Sequence, residues 1–413
     1  MSNDVIVLGA GMVGVSTALQ LQQRGRSVAL VDRRGVAEET SYGNTGIIQR
    51  EGIVPYLFPR EWATILRHAR NQSTEAAFQW SSLPSIASYM FRYWQWSTPE
   101  GKASTAKAMT PLITRCVDEH ERLMTLAGIT GMMRRTGYLR LYRDEKGFDA
   151  AVREDEKNKA AYGVNAKPLG PAGIAELEPH LKPVYAGGVF LADPVSVADP
   201  EAVGKAYGHL FTGRGGVLAE GEARSLTADG AGWKVATRDG WISAPDVVVA
   251  LGPWSDTVTR PLGLKLPFGV KRGYHMHYRA EGNATLSRPT IDTSYGYAMT
   301  QMTRGIRVTT GAEFATRDAP SNPVQLDRVE PLARSAFPLA ERVEAEPWLG
   351  RRPCLPDMLP IIGQAASKKG LWMNFGHHHL GFTLGPVTGR LLAEMMTGEK
   401  PFTDPHPYRA ERF

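Results

Sequence analysis

Three glycines near the start of the chain, Gly9, Gly11 and Gly14 in GAGMVG, have the G-x-G-x-x-G spacing. The spacing alone is common, so its context decides what it can do. Residues 4–8 are a short apolar run rich in β-branched side chains, and from Met12 the apolar residues Met12, Val15 and Leu19 recur at helical spacing. The glycines therefore fall in a strand-to-helix turn. There Gly9 makes the sharp turn, Gly11 lets an anionic diphosphate approach the backbone, and Gly14 lets the helix pack on the strand. The helix N-terminus, at Met12 and Val13, adds unpaired N–H groups and a partial positive charge. Residues 27–31 read as a second buried strand ending at Asp32, 18 residues beyond Gly14. A carboxylate there can accept both ribose hydroxyls and disfavours a 2′-phosphate; Arg33 beside it is counted with the same nucleotide. The alternative is a glycine turn that merely joins a strand to a helix.

NAD and FAD use the same diphosphate chemistry, so other segments must separate them. Ser41, Asn44, Thr45 and Gly46 lie in TSYGNTG, a small hydroxyl-rich loop able to wrap a cofactor that extends beyond its diphosphate. The run VVVALGPWS ends a strand at Leu251 and Gly252, as if delivering backbone to the same crevice. GHHHLGFT, with His379, Leu380, Gly381 and Thr383, lies between a strand and a helix, so a second helix N-terminus points at something anionic.

These segments, with WLGRRPCLPDMLPIIG at 348–363 and GHHHLGFTLGP at 376–386, together resemble the FAD-dependent D-amino-acid oxidase/dehydrogenase superfamily, and within it the bacterial D-amino acid and hydroxyproline dehydrogenases. The resemblance spans most of the chain. It implies FAD, with the first motif on the diphosphate, Asp32 on the adenosine ribose, the 41–46 loop beside the flavin and Ala223 offering backbone to the adenine. It puts Leu380, Gly381 and Thr383 at the flavin pyrimidine edge, where a helix N-terminus stabilises the negative charge of hydride uptake. It assigns Arg352, in the G-x-R-P turn, to the substrate carboxylate, which a guanidinium can hold bidentately; a solvated turn is the bland reading. Tyr274 and Tyr297, on candidate strands, are expected to add a phenol to that grip, with buried packing as the alternative, and His379 to border the substrate. His275 and His277 share a strand face but lack a third ligand, so no metal is expected. Cys354 does not stand where the covalent-flavin cysteine of the sarcosine oxidase branch is expected, so the FAD is expected to be noncovalent.

The implied reaction is oxidative deamination of a free D-amino acid, such as D-proline or hydroxy-D-proline, by hydride transfer from the α-carbon to flavin N5. The electrons would pass to a quinone, a carrier protein or dioxygen. The rivals are a secondary-amine oxidase of sarcosine or glycine type, a flavoprotein acting on RNA, and a dinucleotide-binding subunit with an idle site.

The rest of the chain must position these groups. With 413 residues, 42% hydrophobic and 22% charged, it is neither a small module nor a disordered chain. A net charge of +6 without a polybasic run gives nucleic acid little and permits peripheral membrane contact. Two cysteines make no disulfide framework, and the N-terminus lacks a basic leader, so a cytoplasmic protein is expected, possible also on the inner membrane face. The expected architecture is α/β: a Rossmann-like FAD domain from 1–80, 145–255 and 340–413, interleaved with an α+β substrate domain, 81–144 and 256–339, on an antiparallel sheet. One helical pattern runs over 102–127, an Asp-Gly hairpin is expected at 238–240, and a hairpin around Arg304-Gly305.

Overall fold

The computed structural model describes residues 3–413; Met1 and Ser2, part of the segment read as lacking a leader, lie outside the described residues. The first apolar run forms β1 (Val5–Leu8), every residue buried, followed by α1 (Met12–Gln22) and β2 (Val28–Asp32). β1 pairs in parallel with β2 and with Asp246–Val249. Val217–Asp229 extends the parallel sheet beyond β2, and Leu371–Phe375 extends it beyond Asp246–Val249. Central strands covered on both faces need continuous apolar runs, which VIVL, VALV and VVV supply. Antiparallel strands close the edges: Ile361–Gln364 on one side, Gly232–Thr237 and Gly240–Ala244 on the other, giving eight strands. Against one face α1 packs between Pro200–Gly213 and the C-terminal helix Gly381–Met396.

The second sheet has eleven strands built around Gly269–Ala280, ten of whose twelve residues are buried. It is mostly antiparallel, with parallel pairs at Thr290–Asp292 and at Ala312–Phe314. The architecture is thus a Rossmann-like layer interleaved with an α+β unit on a largely antiparallel sheet. The hairpin at Arg304-Gly305 is present, with Met302 opposite Gly305, as is the Asp-Gly hairpin, with Thr237 opposite Gly240.

Two features differ from the expectation. The pattern over 102–127 is two helices, Pro99–Ile113 and Cys116–Leu126. Pro111 removes an N–H near the end of the first, and that helix stops two residues later. Sheet membership also departs from the expected division. Ala76–Phe78, Ala166–Leu169, Gly187–Leu191 and Trp348–Cys354 all pair in the larger sheet. Gly187–Leu191 is the antiparallel neighbour that Tyr138–Tyr142 needs, and Trp348–Cys354 pairs with Gly269–Ala280 over seven residues. Among the described residues no helix is long and apolar enough to cross a membrane.

Candidate active site

At the β1–α1 turn two of the three glycines stand where no other residue fits. Gly9 has φ +99°, and a Cβ on it would lie 2.6 Å from the Ala250 carbonyl oxygen; a Cβ on Gly14 would lie 1.7 Å from the Gly9 oxygen. Gly11 is different: only Ser41 Oγ, at 3.4 Å, approaches its Cβ position. That hydroxyl accepts from the Met12 N–H at 2.9 Å and ties the 41–46 loop to the helix N-terminus. Asp32 is oriented by two backbone donors, Ala10 N to Oδ2 at 2.8 Å and Arg34 N to Oδ1 at 2.9 Å. Each oxygen keeps acceptor capacity for a ribose hydroxyl. Arg33 stacks over Trp254, 4.3 Å from the ring centre.

A cavity of about 930 Å³ runs from this turn to the second sheet. Of the residues predicted to hold a cofactor, Gly9, Gly11, Met12, Val13, Asp32, Arg33, Ser41, Asn44, Thr45, Ala223, Leu251, Gly252 and Gly381 line it. Gly14, Gly46, Leu380 and Thr383 do not. Gly14 serves helix packing, and Gly46, at φ +74°, is closed over by Val197. The last helix begins at Gly381, so Gly381 and Phe382 face the cavity. Thr383 turns toward the 47–49 segment, where its Oγ1 accepts from Gln49 N at 3.1 Å. Leu380 lines a smaller, separate cavity of about 200 Å³. An open glycine between two closed ones, a helix N-terminus, a tethered carboxylate and a cavity long enough to reach a second helix N-terminus fit a dinucleotide such as FAD.

At the far end, Trp348–Cys354 and Gly269–Ala280 lie side by side with Arg352 opposite Lys271 and Gly350 opposite Gly273. A Cβ on Gly273 would come within 2.5 Å of Arg352 Nη2, so the glycine clears the path for the guanidinium. Arg352 donates from Nη1 to Gly311 O at 2.9 Å and from Nη2 to Thr310 O at 3.3 Å. Burial draws its pKa below the usual range, and Cys354 and Tyr56 oppose that shift. His379 lines the same end, its ring 5.2 Å from that of Tyr56. Burial, then the Arg352 and Lys271 charges, bring its pKa to about 3, so this imidazole is neutral. Cys354 is fully buried, and burial raises its thiol pKa, against the thiolate character a flavin linkage needs.

Tyr274 and Tyr297 both line the cavity, but their hydroxyls are taken up by other protein groups. Side chains alternate along Gly269–Ala280, so Lys271, Gly273 and His275 share the Arg352 face while Tyr274 points to the other. There its hydroxyl accepts from Asn322 N at 2.7 Å and Arg272 Nη2 at 3.1 Å and donates to Glu313 Oε2 at 3.2 Å. The Tyr297 hydroxyl accepts from Arg143 Nη2 at 3.3 Å and donates to Leu332 O at 3.4 Å. Both hydroxyls belong to buried polar networks. Besides the two tyrosines, the cavity is lined by Lys271, from the same strand as Tyr274, and by Tyr56, from an irregular segment, neither singled out in the sequence. The period-two pattern of KRGYHMHY was visible; which face turns inward depends on its register with Trp348–Cys354.

His275 stacks on Trp348, ring centres 4.7 Å apart. His277 Nδ1 donates to Glu344 Oε1 at 2.8 Å, and its Nε2 accepts from Arg307 Nε at 3.0 Å. Arg307 in turn donates to the Tyr42 and Asn44 carbonyls, fixing the cofactor loop from the second sheet.

Buried neutral histidines set the acid stability. Burial lowers His120 and His277 to a pKa of about 4 and His377 to about 3, whereas unfolded imidazole titrates near ~6.5. The folded protein binds fewer protons than the unfolded chain in this window, so this stability is complete above pH ~6.5 and is lost as pH falls toward 4. Thermal unfolding is expected to show Tm dropping steeply between pH 6.5 and 4.5, by an amount equivalent to a few kcal/mol. A flat Tm across that range contradicts it.

The FAD dependent oxidoreductase family model matches residues 4–395. A D-amino acid dehydrogenase of Paramagnetospirillum magneticum is 32% identical, covering 95% of both chains. A D-amino-acid oxidase of Bradyrhizobium diazoefficiens is 28% identical over 99% of this chain and 98% of its own. Among solved structures, the glycine oxidase of Geobacillus kaustophilus superposes with a TM-score of 0.75 over 100% of this chain and 99% of its own, at 21% identity. The iminodiacetate oxidase of Chelativorans sp. BNC1 gives 0.72 over 98% of both, at 20% identity. These two show the shared fold.

Proposed function

The chain belongs to the FAD dependent oxidoreductase family, an enzyme family acting here on amino acids, and on that premise we propose that its substrate is a free D-amino acid, oxidised at the α-carbon to an imino acid that water converts to a keto acid and ammonia. The observation that carries this reading is Arg352. It lines the cavity without a carboxylate partner among the described residues, and two backbone carbonyls hold its fork. A substrate carboxylate would complete it, which fixes the Cα–H and leaves the amine free.

When bound, FAD supplies the hydride acceptor. The protein's part is placement and charge. Arg352 orients the substrate, Gly273 gives the guanidinium room, and Tyr56 with the Cys354 segment walls that end of the cavity. The neutral His379 adds no positive charge that would repel the amine. The first turn of Gly381–Met396 offers a helix N-terminus to negative charge developing in the cavity. No acid or base is needed at Cα if the amine enters unprotonated.

Peripheral contact with the inner membrane face belongs to the same proposal, with a quinone or carrier as electron acceptor. Trp62, Leu66, Trp80 and Phe91 are all exposed within a short stretch of chain, and Trp80 lines the cavity. Turnover of D-alanine, D-proline and cis-hydroxy-D-proline against sarcosine and glycine tests the substrate reading. The D-amino acids are expected to lead in kcat/KM; sarcosine or glycine leading would move the enzyme to the secondary-amine class.

A further inference from the structure

The carboxylate-binding role of Arg352 leaves a second cation in the same cavity unused. Lys271 is 8% exposed and lines the cavity. It stands directly opposite Arg352 in the antiparallel register, so the two side chains rise from the same sheet face with Cβ atoms about 5 Å apart. Like charges so placed destabilise a sheet, and an ammonium withdrawn from water without a counter-ion costs more. Most shielded cations elsewhere avoid that cost, although Arg307, 4% exposed, is held by His277 and two backbone carbonyls instead. The shielded guanidiniums Arg143, Arg272, Arg288 and Arg412 each contact a carboxylate, on Asp292, Glu313, Glu178 and Asp357 respectively, within 2.6–3.0 Å.

Lys271 and Arg352 form no ion pair among the described residues. Arg352 holds two carbonyls, and the Lys271 ammonium rests over the Tyr93 ring, 3.9 Å from its centre, with Phe314 at 5.6 Å. An aromatic face is a weak partner that a flexible four-carbon stem can leave for an anion. Of the acidic residues lining the cavity, Glu75 is held by Arg67 at 3.0 Å, and Asp32, Glu39 and Glu222 belong to the nucleotide end with Arg33 and Ala223. His379, neutral, does not compensate the pair.

We propose that Lys271 and Arg352 form a two-cation cradle, and that the preferred substrate is an α-amino acid carrying a second carboxylate in its side chain. The inference rests on the D-amino acid reading above. Arg352 takes the α-carboxylate in its planar fork, and Lys271 swings from Tyr93 to the distal carboxylate as a point charge. Two negative charges then meet two positive ones in a site shielded from water.

The test compares acids with their neutral isosteres on the purified holoenzyme: D-glutamate against D-glutamine and D-aspartate against D-asparagine, with D-alanine as reference. The expected result is a kcat/KM at least about tenfold higher for an acid than for its amide, the size of one charge-assisted contact. The ratio should collapse toward one in Lys271→Gln and survive in Lys271→Arg. Should the variants fold poorly, the wild-type ratio decides alone, supported by thermal shifts in which glutarate stabilises the holoenzyme more than butyrate. An acid-to-amide ratio of one or less in wild type overturns the cradle, as does a ratio unchanged in Lys271→Gln. With D-alanine oxidised, either result leaves the D-amino acid reading standing; if D-alanine and every other D-amino acid are inert, both fall together.

Discussion

Replacing Arg352 with alanine is expected to lower kcat/KM for the preferred amino acid by about 10²–10³-fold while the protein still carries flavin. The figure follows from removing one partner of a desolvated, charge-assisted pair, which costs about 2–5 kcal/mol at about 1.4 kcal/mol per tenfold. The loss should be larger in kcat/KM than any change in cofactor content, because Arg352 sits at the second-sheet end of the cavity and away from the β1–α1 turn. Arg352→Lys keeps the charge but not the fork. Its two backbone anchors, on Gly311 and Thr310, rely on separate Nη atoms, so the lysine variant should recover only part of the loss. Stopped-flow reduction with varied substrate separates the outcomes. Alanine and lysine variants reduced as fast and as tightly as wild type would mean the carboxylate is held elsewhere.

Gly14→Ala should abolish FAD binding outright. A Cβ there lies 1.7 Å from the Gly9 carbonyl oxygen, so α1 must move off β1, and with it the N–H groups at Met12 and Val13 and the Ser41 contact. Because α1 also packs on the C-terminal helix, a fall in Tm accompanies the loss of colour. Gly11→Ala is the informative partner. Its Cβ meets only Ser41 Oγ, at 3.4 Å, so the fold survives while the added methyl stands where a diphosphate approaches the backbone. Near-normal Tm with weakened FAD binding in Gly11→Ala, against collapse of both in Gly14→Ala, separates the two glycine roles. A Gly11→Ala protein that binds FAD as wild type does would remove the diphosphate from this turn.

What the sequence made legible follows the range of the forces involved. β1, α1 and β2 are local: periodicity and glycine placement specify them within thirty residues, and their role at the cavity follows. The place of Arg352 at the cavity was legible from the G-x-R-P motif around it, although the segment expected as a turn is a strand. The faces of Gly269–Ala280 were not, because a one-residue change of register against Trp348–Cys354 would turn Lys271 away from the Arg352 face. The same distance effect hid the partners of the 166–169 and 187–191 segments, the second of which read as a strand of the cofactor layer yet pairs in the second sheet. Leu380 and Thr383 do not line the larger cavity: the last helix starts at Gly381, and its rotation sends Gly381 and Phe382 inward.

Anaerobic mixing of the purified protein with single D- and L-amino acids, followed by the flavin absorbance, tests most directly whether a guanidinium holds an amino acid beside bound FAD. The account predicts a yellow protein that releases FAD on denaturation, is bleached by D- but not L-enantiomers, and resists bleaching in Arg352→Ala. A colourless protein that takes up no FAD when offered it, or one bleached equally with and without Arg352, would contradict it.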